Sequence, residues 1–387
     1  MEPLIYIILL IIEAILLYNS GRLILRSKSK KQVVLSSFLG IFAYTLNEGL
    51  RWGRGVDYNL YYYGYYDIIK GYESSLEYLY QMVCKILGYF GADWQIMVAL
   101  MSFILILSVY KFLDNFKLVL PYALPAFAFF CIQAETLMRW YLAFSFILIS
   151  ISIYLKSGVN KKWQILIYCL IGVGFHNAIS IVIPFFYLIL LIKKPIIKPI
   201  YAVIIYLLIG FLFSTEIMTN FSTYMNLFTF GIRFEHYQAN ADYWLTRGYV
   251  EGETDAFENL KFSLFWIVLV YLGYKICQVE NVNYTRIYNL FVLGFILNPA
   301  YHQIELLNRY GQLFLLFQFL IVAYVIKYFV VEKLIKIPKL VLLLCVLIML
   351  NYSRQIFVYP FFDKTDHYLY IWDRNGRETL DVSTYFE

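Results

Sequence analysis

Charged residues are scarce in this sequence. Asp, Glu, Lys and Arg make up only 15% of its 387 residues, whereas 61% are hydrophobic and 20% are aromatic. Because so few charges cannot cover the surface of an ordinary soluble protein, the composition excludes that class. The apolar runs are as long as bilayer-spanning helices, roughly 17 to 25 residues, and longer than the strands of a membrane barrel. The sequence therefore predicts an all-α polytopic membrane protein.

Motifs for metals, nucleotides and nucleophilic serines are also missing. The four histidines and the scattered carboxylates have no metal-ligand spacing, and the five cysteines lie singly in or beside apolar runs. The sequence has no phosphate loop, no dinucleotide glycine motif and no Gly-x-Ser-x-Gly elbow. We therefore expect no metal, no other cofactor and no ATP-driven step. The lack of an internal repeat argues against an inverted-repeat transporter.

The apolar runs predict about twelve transmembrane helices in a single domain, residues 1–352, followed by an outward-facing tail, residues 353–387. The helices are expected near residues 3–21, 33–50, 95–112, 118–134, 138–155, 162–178, 180–192, 200–217, 261–277, 286–300, 310–330 and 339–352. Two long outer loops are expected at about residues 51–93 and 218–259.

Basic residues give the chain a net charge of +6, and they lie in short loops, as a membrane orientation signal does. If the basic loop from Arg22 to Lys31 is cytoplasmic, every second loop faces outward. The inner loops then carry mostly lysine, whereas arginine is concentrated in the outer segments. Arginine binds carboxylates and phosphates as a rigid fork. We therefore expect an active site on the outer face, and no nucleic-acid partner.

The first outer loop begins with a stretch in which Arg51, Gly55, Asp57 and Tyr61 have the spacing Arg-x3-Gly-x-Asp-x3-Tyr. Two glycines flank Arg54, so the backbone can turn tightly there and offer amides to an anion. The alternative is a capped helix end with tyrosines at the headgroup level, which are common in membrane proteins.

The same loop continues into a segment with apolar residues at helical spacing, residues 76–87. Ser74 and Ser75 precede this segment as helix caps, and Glu77 is expected just inside the helix. The pattern predicts an amphipathic helix that lies on the outer leaflet.

Two further polar positions lie at the outer ends of predicted spans. Arg139 is expected at the start of the fifth span, where a charge is costly unless it is paired or faces a polar cavity. Its alternative role is to reach the headgroups by snorkelling. His176 and Asn177 follow glycines that allow close helix packing, and this histidine is either a packing residue or an acid, base or hydrogen-bond donor.

A third group lies between two late spans. His302, Glu305 and Arg309 have helical spacings of three and four, so they share one face if this connector is helical. The alternative is a local ion pair between Glu305 and Arg309. Separately, the long loop at 218–259 contains Arg233, His236 and Arg247, and a loop of that length is typical of a lid or binding element.

Taken together, these patches give the sequence a resemblance to the EpsG family of bacterial membrane proteins, which are Wzy-like polymerases of surface polysaccharides such as O-antigen, capsule and exopolysaccharide. The first patch is Arg51-x3-Gly55-x-Asp57-x3-Tyr61 followed by Glu77-Tyr78-Leu79-Tyr80. The second is Met138-Arg139-Trp140-Tyr141-Leu142-Ala143 followed by Phe175-His176-Asn177, and the third is Asn308-Arg309-Tyr310. Their order and separation run over nearly the whole chain.

The resemblance implies a GT-C-like glycosyltransferase of the polymerase and ligase type in the bacterial cytoplasmic membrane. It would transfer a growing glycan from undecaprenyl pyrophosphate to a lipid-linked repeat unit at the outer face. Its partners would be undecaprenyl-pyrophosphate-linked glycans, the lipid bilayer and a chain-length-determining membrane protein. The alternatives are a flippase for lipid-linked oligosaccharides, a glycan ligase, and a glycosyltransferase that uses a polyprenyl-phosphate sugar.

Roles for single residues follow from this resemblance as hypotheses. Arginines would hold the donor pyrophosphate: Arg51, Arg54, Arg139 and Arg309. The candidate bases are His176 and Asp57 first, then His302 and Glu305. Contacts with the glycan would come from Tyr61 and Asn177 and from a closing lid with Arg233, His236 and Arg247.

Overall fold

The computed structural model describes residues 2–55, 57–131, 134, 137–212, 256–301, 305–333, 357 and 368–372, of which 2, 212, 256–262, 301 and 305–307 are described by their backbone alone. Most of these residues are helical. The helices are α1 (Glu2–Arg26), α2 (Lys30–Gly49), α3 (Tyr58–Lys70), α4 (Tyr78–Tyr89), α5 (Trp94–Leu113), α6 (Leu120–Phe130), α7 (Met138–Ser157), α8 (Lys162–Phe175), α9 (Val182–Leu190), α10 (Pro199–Leu212), α11 (Ala256–Cys277), α12 (Val282–Tyr301), α13 (Glu305–Leu315) and α14 (Gln318–Val325), with a π-helical segment at Ile326–Val331. The described residues also include two short strands, β1 (Arg51–Trp52) and β2 (Leu369–Tyr370), and short 3-10 helices at Lys117–Val119, Gly158–Lys161 and Asn177–Ile181.

The chain divides into two compact units. The first comprises Met1–Pro184, Val322–Lys327 and Met349–Glu387, and the second comprises Phe185–Ile321 and Tyr328–Ile348. The expected division into a transmembrane domain and a tail at residue 352 stays a prediction.

Long apolar helices confirm that this is an all-α membrane protein. Among the described residues, four helical runs are long and apolar enough to cross a bilayer: Pro3–Arg26, Trp94–Leu113, Met138–Phe175 and Asn308–Val331. Shorter apolar helices occupy Lys117–Phe130, Asn177–Leu190, Pro199–Phe211 and Ser263–Cys277. The number of about twelve helices stays a prediction, and the helix expected near residues 339–352 lies outside the described residues.

The run Met138–Phe175 is a helical hairpin, not one helix. The chain turns at Gly158, which has a positive φ of 55°, and α8 then packs back against α7. A Cβ at Gly172 would lie 2.9 Å from the carbonyl oxygen of Ala143, so only glycine allows this close approach. The two separate spans expected from the sequence in this region are therefore present as α7 and α8.

The first unit has two chemically different ends. At one end, which we call the lysine end, Asp114 after α5 forms ion pairs with Lys117 at 3.1 Å and with Lys156 of α7. At the other end, the starts of α4 and α7 meet the end of α8 around Glu77, Arg139 and His176. We call this the site end. Helix α7 thus runs from the site end to the lysine end, and α8 returns to the site end.

Two helices, α3 and α4, occupy residues 51–93, which are predicted to form the first outer loop. No helix was predicted at α3, yet Tyr58, Tyr61, Tyr65 and Ile68 are buried at helical spacing. These tyrosines are poor helix formers in isolation, so packing of one buried face, rather than propensity, stabilises the helix. The expected amphipathic helix is present as α4, but it starts at Tyr78.

The C-terminal tail contributes a strand to the first unit. β2 pairs antiparallel with β1, with Arg51 opposite Tyr370 and Trp52 opposite Leu369. The backbone N–H of Ile371 also donates to the carbonyl oxygen of Leu50 at 2.9 Å. Both residues of β2 are buried, so this part of the tail belongs to the packed structure.

Aromatic stacking and side-chain hydrogen bonds join elements of the second unit. Tyr206 of α10 stacks on Phe295 of α12 with ring centroids 4.6 Å apart. Asn289 of α12 binds the turn before α10, because its amide donates to Lys194 O at 2.9 Å and its oxygen accepts from Ile196 N at 2.9 Å. These side-chain bonds satisfy backbone groups of a turn that has no helical partners for them.

Candidate functional site

The candidate site is centred on the carboxylate of Glu77. Its Oε1 accepts a hydrogen bond from Nδ1 of His176 at 3.0 Å and from the backbone N–H of Asn177 at 3.3 Å. Its Oε2 forms an ion pair with Arg139. Three segments that lie far apart in sequence therefore meet at one carboxyl group.

The position of Glu77 differs from the expectation of a residue inside a capped helix. Glu77 directly precedes α4, and its side chain makes no capping hydrogen bond. It is only 2% exposed, because it turns toward Arg139 and His176 instead of the backbone. A buried carboxylate costs free energy unless it is paired, and these two partners supply the pairing.

Arg139 lies between two tyrosine rings. Its guanidinium carbon is 5.1 Å from the ring centroid of Tyr61 of α3 and 5.6 Å from that of Tyr80 of α4. Arginine stacks favourably on aromatic faces, and here the side chain is 12% exposed. The rings fix the plane of the guanidinium while its edge faces Glu77. Arg139 is therefore paired, as expected for a charge at a membrane boundary, and does not extend to the headgroups by snorkelling.

His176 ends α8 with an extended backbone, φ −157° and ψ 105°, so the helix stops at Phe175 and not near residue 178 as expected. The ring lies edge-on to Trp140, with ring centroids 5.1 Å apart. Because a carboxylate can only accept, Nδ1 of His176 is the donor to Glu77. In the neutral ring, Nε2 is then the nitrogen that can take up a proton.

Close packing of α8 against α4 places His176 beside Glu77. A Cβ at Gly174 would lie 2.5 Å from Cδ1 of Leu79, which is too close for any contact. A larger residue at this position would require Leu79 or the helix to shift. The glycines before His176 were predicted to allow close helix packing, and the structure confirms this prediction.

Electrostatics keep the site in a defined protonation state. Burial by itself raises the pKa of Glu77, but the hydrogen bond from His176 and the charge of Arg139 lower it from 4.5 to about 2. Burial raises the pKa of Tyr80 well above its usual value, and that of Cys84 to about 12. Glu77 is thus an anion at neutral pH, whereas Tyr80 and Cys84 are neutral. Cys84 is accordingly no thiolate nucleophile.

Arg51 has a different environment. It is 2% exposed and forms an ion pair with Glu48 at 3.1 Å, one turn back along the chain. Its carbonyl oxygen accepts from Nε2 of Gln95 at 2.7 Å, which ties β1 to the start of α5. The predicted contact of Arg51 with pyrophosphate would require the pair with Glu48 to open.

Arg54 is enclosed by aromatic rings. Gly53 and Gly55 have positive φ values of 67° and 101°, which confirms the tight turn expected around Arg54. The guanidinium carbon lies 4.6 Å from the ring centroid of Tyr6 and 5.4 Å from that of Tyr370, and the residue is fully buried. Tyr370 belongs to the tail, so the tail helps to hold this arginine.

The ring of Tyr370 is itself anchored by a polar chain. Its hydroxyl donates to Oδ1 of Asn47 at 3.0 Å, and Nδ2 of Asn47 donates to Oε2 of Glu13 at 2.6 Å. Glu13 lies within the first apolar helix and is 2% exposed. A carboxylate at such a position needs a partner, and Asn47 is one.

The other predicted site residues have the following positions. Asp57 directly precedes α3, one turn before Tyr61. Arg309 lies on α13, in the second unit. Glu305 starts α13, but its side chain lies outside the described residues, as do His302 and the lid residues Arg233, His236 and Arg247.

Comparison with known proteins provides a family. The profile of the EpsG family matches residues 33–370, which is most of the chain. The chain belongs to the EpsG family. This confirms the resemblance seen in the sequence patches, and EpsG membership indicates a function of the polysaccharide-polymerase type. Comparison with curated proteins and with solved structures gives no match.

The EpsG match spans the elements of the site. It begins within α2, ends at Tyr370 of β2, and so contains Glu77, Arg139 and His176. The sequence pattern predicted only a helix-start position for Glu77, although the residue lies in the quoted patch Glu77-Tyr78-Leu79-Tyr80. Two signals could have found the missed carboxylates: Glu77 stands among aromatic residues of that patch, and Glu13 interrupts an apolar run.

Proposed function

We propose that this protein is a membrane glycosyltransferase that polymerises lipid-linked glycan repeat units at the outer face of the bacterial cytoplasmic membrane. The donor would be a growing glycan on undecaprenyl pyrophosphate, and the acceptor a repeat unit on the same kind of carrier. Membership in the EpsG family supports the polymerase class. The membrane-spanning helices fit substrates that are themselves lipids.

The observation that carries the proposal is the convergence of Arg139 and His176 on Glu77. Glycosyl transfer from a pyrophosphate needs a cation for the leaving group and a base for the acceptor hydroxyl. Arg139 and His176 are these two groups, and they lie on opposite oxygens of one carboxylate. The geometry therefore supports Arg139 as the pyrophosphate ligand and His176 as the base, ahead of Asp57.

In the proposed reaction, the acceptor hydroxyl gives its proton to Nε2 of His176 as its oxygen attacks C1 of the donor sugar. The bond between C1 and the pyrophosphate oxygen breaks, and its electron pair leaves with the pyrophosphate. Arg139 stabilises the charge that develops there. The tyrosines around Arg139 supply aromatic faces on which sugar rings can pack. The activated donor supplies the energy.

Reconstitution tests this function directly. The purified protein in liposomes should convert lipid-linked repeat units into a ladder of longer chains without added nucleotide. Movement of intact repeat units between leaflets, without growth, would instead identify a flippase. Transfer of whole chains to a different lipid would identify a ligase. Both results would refute the polymerase.

A further inference from the structure

The two oxygens of Glu77 have different partners. Oε1 binds His176 at 3.0 Å and Asn177 N at 3.3 Å, whereas Oε2 is paired with Arg139. Because the partners are separate, the pair with Arg139 can open while the bond to His176 stays intact. We propose that Glu77 is a positioning residue that yields Arg139 to the donor pyrophosphate and keeps His176 oriented as the base. This inference rests on the proposed function.

The carboxylate of Glu77 and the pyrophosphate of the donor would both bind Arg139. Tyr61 and Tyr80 lie against the guanidinium, at 5.1 and 5.6 Å, and the side chain is 12% exposed. Nη1, which donates to Glu77, is one of the two nitrogens of the end-on edge through which a guanidinium binds a phosphate with two contacts. The carboxylate and the pyrophosphate therefore compete for one cation. It follows that Glu77 lowers the affinity for the donor.

The charge on Glu77 acts again after the donor has bound. Once Arg139 faces the pyrophosphate, the carboxylate is no longer shared between Arg139 and His176. Its negative charge, 3.0 Å from Nδ1, then stabilises the imidazolium that forms when Nε2 of His176 takes the acceptor proton. Donor binding thereby strengthens the base. The hydroxyl is activated when the leaving group is in place.

Glu77 therefore weakens donor binding but speeds turnover. Glu77→Gln keeps an oxygen that accepts from His176 and Asn177, but removes the charge. We expect kcat to fall by about two orders of magnitude, because the imidazolium loses its counter-charge. We expect KM for the lipid-linked donor to fall several-fold. A merely structural role would lower kcat and raise KM.

The experiment measures both quantities in full-length protein in liposomes. Inhibition by undecaprenyl pyrophosphate alone reports affinity without turnover, and its inhibition constant should fall in Glu77→Gln. The matched control is Asp114→Asn, since Asp114 also pairs with two basic side chains but lies at the lysine end. We expect this control to have the kcat, KM and inhibition constant of the unmodified protein.

An inhibition constant that rises in Glu77→Gln would overturn the inference. If Glu77→Gln does not accumulate in the membrane, Glu77→Asp supplies the test, because it keeps the charge and shortens the reach to Arg139. Its kcat should exceed 1% of normal, and an inhibition constant above normal would again overturn the inference. Unmodified protein that never elongates repeat units would refute the proposed function itself, which is a separate result.

Discussion

Arg139 and Glu77 form an ion pair that joins the start of α7 to the residue before α4, 62 positions away in sequence. The two side chains are 12% and 2% exposed, so the pair is largely shielded from water and salt. Removing one partner of such a pair leaves a buried charge without its counter-charge, which is strongly destabilising. The pair therefore contributes to the fold of the site end.

Arg139→Ala should lower kcat/KM by about two to three orders of magnitude, because a preorganised group that stabilises the leaving pyrophosphate is lost. Arg139→Lys keeps the charge without the planar fork, so its kcat/KM should lie between those of Arg139→Ala and the unmodified protein. Initial rates of repeat-unit transfer in liposomes measure this effect. The matched control is Arg22→Ala, since Arg22 also stacks on a tyrosine, Tyr18, at 5.7 Å. Equal losses in Arg22→Ala and Arg139→Ala would contradict the assignment.

Acid should weaken the fold through Glu77. The pKa of this carboxyl is about 2 in the folded protein against 4.5 for the free group. A depressed pKa stabilises the folded state above about pH 4.5, and that contribution is lost as the pH falls toward 2. The midpoint of thermal unfolding in detergent should therefore fall over this window. Glu77→Gln should show a shallower fall, and identical slopes for the two proteins would refute the coupling.

The contact between Gly174 and Leu79 should control the site from a distance. Gly174→Ala places a methyl group 2.5 Å from Leu79 Cδ1, so Leu79 or α8 must shift, at a cost of about 1 to 3 kcal/mol of stability. His176 should then lose its bond to Glu77, and transfer should slow. Leu79→Ala in the same chain should restore part of the rate, because it removes the clash. A double variant no better than Gly174→Ala would show that the contact is not the cause.

The tail strand should stabilise the first unit. Tyr370→Phe removes the hydrogen bond to Asn47 and should cost about 1 kcal/mol in the free energy of unfolding. Tyr370→Ala also removes the ring over Arg54 and should cost about 3 to 5 kcal/mol. Unfolding in detergent measures both. Equal costs for the two variants would mean that the ring makes no contribution beyond its hydroxyl group.

The sequence predicts the all-α membrane protein and two residues whose side chains the structure brings to Glu77. Apolar runs predict helices because length and hydropathy alone decide whether a segment can cross a bilayer. Arg139 and His176 were found because charge and imidazole are costly beside a membrane and so point to a function. Gly172 and Gly174 were correctly interpreted as packing residues.

The role of Glu77 could not be predicted for a physical reason. A carboxylate after serines at a helix start matches a capping pattern, and that local reading competes with a tertiary one. Its partners lie 62 and 99 positions away, so only the packing of α8 and α7 against α4 brings them together. Helix α3 could not be predicted for a similar reason, because a tyrosine-rich segment is helical only when one of its faces is buried by tertiary packing.

The most direct test of the central claim is the chain length made by His176→Gln in liposomes supplied with lipid-linked repeat units. Glutamine can still donate to Glu77 but cannot take up the acceptor proton. The account predicts that His176→Gln leaves single repeat units where the unmodified protein makes a ladder. Undecaprenyl pyrophosphate should still displace bound donor from this variant at the concentration that it needs with the unmodified protein. A ladder of normal length from His176→Gln would contradict the account.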